Sequence, residues 1–225
     1  MATADDVLEP IGWLRWLFFT VVVRPLILVV LGLNVRHHER LPDAGPAIVV
    51  ANHNSHLDTL ALLTVFPGRR LGRLRPVAAA DYFLRTPLMA WFSRRVLGIV
   101  PVDREDREQS LDDRLAEVYR ALDRGRILIL FPEGSRGEPE RLTRFKHGVA
   151  IISARYPAAP VIPIFLHGMG KALPRGEGML VPFSCDVVVG DPMAAAAAGE
   201  VDAFVKRLEA RIHELAAELE RPEWE

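Results

Sequence analysis

The chain has 225 residues, half of them apolar and a quarter charged, which suits one α/β domain with a small appendage and excludes a disordered polymer. A net charge of -1 singles out neither a nucleic-acid nor an acidic partner, and the lone Cys185 excludes an internal disulfide framework or a cysteine-cluster metal site. The mean hydropathy of +0.14 is high for a freely soluble enzyme and hints at a membrane surface.

Residues 11–35, "IGWLRWLFFTVVVRPLILVVLGLNV", are the most apolar stretch. Acidic residues precede it and no small-residue cleavage site follows, so it is not a secretory signal. Arg15, Arg24 and Pro25 cut it into pieces shorter than the roughly 20 apolar residues of a membrane span. Pro25 removes a helix hydrogen bond and is expected to kink or break the helix. Two short apolar helices with Trp13 and Trp16 near one end, and arginines that can snorkel, suit an interfacial anchor lying on the membrane. A buried core helix and a true span are the other readings. The chain is therefore divided into an anchor, 1–35, and a catalytic-type domain, 36–225.

The elements that follow alternate. Residues 46–51, "PAIVVA", read as a strand and 57–66 as a helix stopped by Pro67-Gly68. A short strand at 76–80 leads to an amphipathic helix at 87–97 that opens on Pro87. A strand at 98–102 and a helix at 108–123 come next, the latter with Leu111, Leu115, Val118, Tyr119 and Leu122 on one face. "ILILF", 127–131, is a buried strand; 146–155 is helix; 161–166 and 185–190 are strands; 200–220 is a long amphipathic helix. Strands alternating with helices predict an α/β fold with a mostly parallel central sheet flanked by helices. Between residues 59 and 99 seven arginines stand against Asp81 alone, a basic region suited to anionic lipid or a phosphorylated substrate, or an ordinary solvated face.

The strand at 46–51 runs out into "NHNSHLD", residues 52–58. On an unbroken helix His53 and Asp58 would sit roughly 140° apart. A turn at Asn54-Ser55, with Ser55 as N-cap and the helix starting at His56, lets His53 fold back over Asp58. Nδ1–H bonded to the carboxylate would leave Nε2 free to take a proton. The plainer reading is a capping aspartate and a polar turn histidine. A metal held by His53, His56 and Asp58 is a third, but the HExxH spacing is absent. No G-x-S-x-G nucleophile turn and no nucleotide-binding glycine loop occurs.

Two further strand ends carry chemistry. "FPEGSRG", 131–137, makes a tight loop in which Gly134 and Gly137 permit close approach and Arg136 offers a planar fork for phosphate. "GIVPVDR", 98–104, places Arg104 at another strand end, and Arg144 and Lys146 follow downstream. Ligands of α/β sheets bind outside the carboxyl ends of the strands.

Taken in order, "NHNSHLD", "GIVPVDR", "FPEGSRG" and "VIPIF" (161–165) resemble the four blocks of the glycerolipid acyltransferases, the family of 1-acylglycerol-3-phosphate acyltransferase with its NHxxxxD box. The resemblance covers about residues 35–192. It implies transfer of a fatty acyl group from acyl-CoA or acyl-carrier protein to a lysolipid hydroxyl on a membrane, at its cytoplasmic face, with no cofactor and no metal. His53 would be the general base and Asp58 its orienting partner. Arg104, Glu133, Gly134, Ser135 and Arg136 would hold the acceptor phosphate, and "VIPIF" would line a substrate pocket. Ser135 replaces the usual threonine, and "AAAD", 78–81, lacks a lysine that many members carry before the amphipathic helix. The thioester oxyanion is expected to meet backbone N–H groups near the helix start. A different lysolipid or glycolipid acceptor, or a lipid-binding module without chemistry, is the alternative.

Overall fold

The computed structural model describes residues 9–55, 57–103, 109–134, 142–172, 183–197 and 199–219. Seven strands form one sheet: β1 (Asn34–Arg36), β2 (Ala47–Ala51), β3 (Leu74–Ala79), β4 (Val100–Val102), β5 (Ile127–Leu130), β6 (Val161–His167) and β7 (Asp186–Val189). Their order is β1-β7-β6-β2-β5-β3-β4. Every neighbouring pair is parallel except β6 and β7, so β1 and β7 run against the other five. β2 and β5 are buried along their whole length, as a sheet covered on both faces requires.

The helices are α1 (Gly12–Phe18), α2 (Arg24–Val30), α3 (Leu57–Val65), α4 (Ala80–Phe83), α5 (Pro87–Phe92), α6 (Leu111–Arg114), α7 (Ala116–Asp123), α8 (Gly148–Arg155), α9 (Met169–Ala172) and α10 (Val201–Ala217). The two-residue period of the strands divides the core. Ala47, Val49 and Ala51 of β2 face Phe19, Val23 and Ile27 of the N-terminal helical run and Ala61 and Leu62 of α3. Ile48 and Val50 face the opposite layer, built from α7, α8 and α10 through Val118, Leu122, Ile152, Phe204 and Leu208. The short β1 is the strand the sequence pattern does not show; three residues carry too little alternation to read.

Pro25 does not break the N-terminal helix. A π-helical turn, Phe19–Val23, joins α1 to α2, and Pro25 falls in the first turn of α2, where its missing N–H costs little. The wider turn absorbs the proline that an uninterrupted α-helix would have to kink around. The window Gly12–Val29 is consequently long and apolar enough to cross a membrane, with a mean hydropathy of 1.6 and 22% of it buried. The arginines do not snorkel outward: Arg15 is 1% exposed and donates through Nη1 to the Leu74 carbonyl at 3.1 Å, and Arg24 donates to the Phe66 carbonyl at 3.2 Å. Room for Arg15 comes from Gly98, whose φ of +70° suits glycine and where a Cβ would lie 2.7 Å from Arg15 Nη1.

The outer face of the same helix exposes Trp13, Trp16, Leu17, Val21, Leu28 and Val29. Phe18 meets Phe92 of α5 edge-on at 5.3 Å, so this face runs on into exposed Leu88 and Trp91. A contiguous apolar face carrying tryptophans suits association with a membrane surface.

Candidate active site

The carboxyl ends of β2, β5 and β6 build one polar centre. β2 ends at Ala51, and the chain leaves the sheet through Asn52. Asn52 is 1% exposed; its amide donates to the Leu166 carbonyl at 2.9 Å and its carbonyl accepts the Leu166 N–H at 2.7 Å. The side chain thus continues the β2–β6 ladder after the β2 main chain has turned away. Asn54 donates to the same Leu166 carbonyl at 3.2 Å. These bonds pin the turn between β2 and α3.

His53 and Asp58 meet across that turn, with His53 Nδ1 2.9 Å from Asp58 Oδ2. The same oxygen accepts the N–H groups of Asn54 and Ser55 at 2.6 and 2.7 Å. Asp58 is fully buried while the His53 side chain keeps 18% exposure. A carboxylate accepts only, so the proton they share belongs to Nδ1, and in the neutral ring Nε2 then carries the lone pair. The ring lies on Phe131 with centroids 4.2 Å apart and planes 20° apart. α3 is described from Leu57, whose N–H lies 3.4 Å from Ser55 Oγ.

The described hydrogen bonds bear on two expectations. The N–H groups of Asn54 and Ser55 point at Asp58, and that of His53 points at Glu133 Oε1 at 2.9 Å, so these three are spent inside the protein and do not face an oxyanion. Glu133, expected to hold phosphate, is 3% exposed, and its Oε2 accepts the Thr143 hydroxyl at 2.5 Å. Each oxygen of this buried carboxylate is thus taken by a donor within the protein. Gly134 has φ +76°, and a Cβ there would lie 2.6 Å from Lys146 Nζ. Arg104, Ser135, Arg136 and His56 lie outside the described residues. His147 sits 3.0 Å from Asp202. Among the described residues no group of three or more His, Cys, Asp or Glu is placed to hold a metal.

Sequence reasoning missed Phe131, Asn52, Thr143 and Glu209. Asn52 carried a faint signal, a polar residue on the face-alternation of a buried strand. Thr143 and Glu209 carried none, because ten and seventy-six residues of chain separate them from Glu133. The Phe145 N–H donates to Glu209 Oε1 at 2.7 Å, tying the segment after the loop to α10.

The architecture is that of an α/β protein with a histidine–carboxylate pair at the carboxyl edge of a mostly parallel sheet. The model of the Acyltransferase family matches residues 32–167, and the chain belongs to that family. It is 32% identical over 163 residues to the chloroplastic 1-acyl-sn-glycerol-3-phosphate acyltransferase of Arabidopsis thaliana, covering 72% of this chain and 43% of the plant protein. It is 26% identical over 195 residues to the 1-acyl-sn-glycerol-3-phosphate acyltransferase of Pseudomonas aeruginosa, covering 85% and 72%. The chain spans less than half the length of the plant relatives. The crystal structure of the 1-acyl-sn-glycerophosphate acyltransferase PlsC from Thermotoga maritima shares the fold, with a TM-score of 0.69 over 93% of this chain and 80% of that one at 22% identity.

Proposed function

We propose that the chain transfers a fatty acyl group from a thioester, acyl-CoA or acyl-carrier protein, to the free hydroxyl of 1-acylglycerol-3-phosphate, giving phosphatidic acid. The observation that carries this reading is the His53–Asp58 pair, 2.9 Å apart, with the carboxylate buried and the imidazole still open. The acceptor class is taken from the relatives, which are 1-acyl-sn-glycerol-3-phosphate acyltransferases.

The acceptor alcohol has a pKa far above neutral, so it attacks the thioester carbonyl only as its proton leaves. Nε2 of His53 takes that proton while the new C–O bond forms. The tetrahedral intermediate then expels the thiolate, breaking the C–S bond, and the imidazolium returns the proton to sulfur. Asp58 holds the ring and offsets the imidazolium charge. The acceptor phosphate is assigned to Arg104 and Arg136, with Ser135 and Gly134, on the likeness to the family's blocks. Glu133 holds the His53 N–H and the Thr143 hydroxyl. The cavity of about 480 Å³ lined by Tyr82, Phe83, Leu88, Met89, Phe92 and Leu97 takes an acyl chain. The apolar face around Trp13 and Trp16 lies on the cytoplasmic leaflet, where a lipid acceptor meets a water-borne donor.

A thiol-release assay with acyl-CoA and lysophosphatidic acid tests this. The chain should release thiol in step with phosphatidic acid, and His53→Ala should lower turnover by about 10²–10⁴-fold with the fold intact. A His53→Ala variant that keeps most of its activity removes His53 from the mechanism. A panel of other lysolipids and glycolipids fixes the acceptor.

A further inference from the structure

Three consecutive N–H groups, those of residues 53, 54 and 55, are shared between two buried carboxylates. Asp58 takes the second and third, and Glu133 takes the first. Asp58 also holds the ring. Glu133 is therefore the group that fixes the main chain from which the ring of His53 projects. Its other oxygen is held by Thr143 Oγ1 at 2.5 Å, within the range of a strong charge-assisted bond. We propose that Thr143 is a positioning residue of the acyl-transfer reaction, acting through Glu133 on the backbone of His53; this rests on His53 being the base.

The segment that carries Thr143 is anchored well enough to serve. The Lys146 N–H donates to the Pro132 carbonyl at 2.8 Å, next to Glu133 in the chain, and the Phe145 N–H donates to Glu209 of α10 at 2.7 Å. Thr143 thus relays the position of the 142–146 segment to the end of β2. Without its hydroxyl, one oxygen of a carboxylate that is 3% exposed loses its protein donor. The side chain then turns toward water or rotates, and the His53 N–H loses its fixed acceptor. Displacements of about 1 Å at a reacting group cost on the order of 10²-fold in rate. Thr143 itself reaches the surface, so the substitution empties no core.

Steady-state kinetics on the full chain with acyl-CoA and lysophosphatidic acid provide the test. Thr143→Val keeps the shape and removes the donor; kcat should fall by about 10-fold or more while both KM values stay within about twofold. Thr143→Ser restores the hydroxyl and should recover most of kcat. A Thr143→Val variant with unchanged kcat overturns the inference, and so does one whose acceptor KM rises while kcat holds, since that marks a ligand contact. A Thr143→Ser variant as impaired as Thr143→Val also overturns it, because the loss would then not follow the hydroxyl. Failure of the unsubstituted chain to release thiol with these substrates would sink the function itself, a result separate from any of these.

Discussion

The two edges of the sheet hold carboxylates in opposite ways. At the carboxyl edge, Asp58 and Glu133 are buried and held by N–H groups, an imidazole and a hydroxyl, Asp58 through Oδ2 alone, with no arginine or lysine pairing either one among the described residues. At the amino edge, Glu9 is shared among arginines. Arg75 at the start of β3 and Arg126 just before β5 bond its two oxygens, Arg124 lies 3.7 Å away, and Arg95 donates to its carbonyl at 3.1 Å. Backbone donors are rigid and uncharged, so the upper pair is fixed in direction. Side-chain donors are long and charged, so the lower cluster is a fastening. It holds residues 9–11, and through them the N-terminal helix, to the base of the sheet.

The largest expected effect lies at the upper edge. Asp58→Asn keeps the shape and removes the charge, and the amide offers a donor where Nδ1–H needs an acceptor. Turnover should fall by about 10²–10⁴-fold with circular dichroism unchanged, the worth of a positioned base. If the variant turns over freely, the pair is a turn-stabilising contact and the contrast between the edges loses its functional half.

Next comes Glu9→Ala, which should destabilise without touching chemistry. Arg75, 3% exposed, would lose its carboxylate. Leaving a buried donor unpaired costs about 1–3 kcal/mol, and the partial exposure of Glu9 keeps the cost below that of a fully buried pair. Urea unfolding should show the loss while kcat per folded molecule stays level. A change in kcat at unchanged stability would mean that the amino edge reaches the site. Acid sharpens the same point. Burial pushes the Glu9 carboxyl up, but Arg75 and Arg126 together outweigh it and hold it below the usual 4.5. A lowered carboxyl pKa contributes stability that is complete above about pH 4.5 and is lost as pH falls through the folded value. The gap between the parent and Glu9→Ala should therefore close on acidification below that point.

Much of this could be read in the sequence, for a physical reason. Buried parallel strands are unbroken apolar runs, and "AIVVA" and "ILIL" stand out against any background. The His53–Asp58 meeting was open to reading because both ends lie within six residues, where a turn at Asn54-Ser55 before the helix is enough to bring them together. What local pattern cannot supply is the partner brought in by folding. Glu133 looks like a ligand-facing residue in a glycine loop until the N–H of His53, eighty residues away, is seen on its oxygen. Arg15 and Arg24 look like breaks in an apolar stretch until the carbonyls of Leu74 and Phe66 appear beneath them. Pro25 looks like a helix end because a π-turn has no sequence signature of its own.

The smallest predicted effect separates the lower cluster's useful charge from its costly one. Arg15 is the guanidinium there with least support: one nitrogen bonds Leu74, and Nε and Nη2 are buried without a partner. Burial, helped by the neighbouring charge of Arg75, pulls its pKa down to about 9. The folded state therefore binds this proton less tightly than the unfolded chain does, so the residue opposes folding while it is charged, and the penalty fades as pH rises past 9. Arg15→Met keeps the apolar stem against Phe19 and discards the charge, at the expense of the bond to Leu74. Replacing a buried ion by an apolar side chain of similar volume is commonly neutral or favourable, and here a gain of up to about 1 kcal/mol in urea is expected at neutral pH. The gain should shrink when the comparison is repeated above pH 9. If Arg15→Met is instead destabilised as much as Glu9→Ala, then Arg15 belongs to the fastening, and the amino edge works as one unit around Glu9.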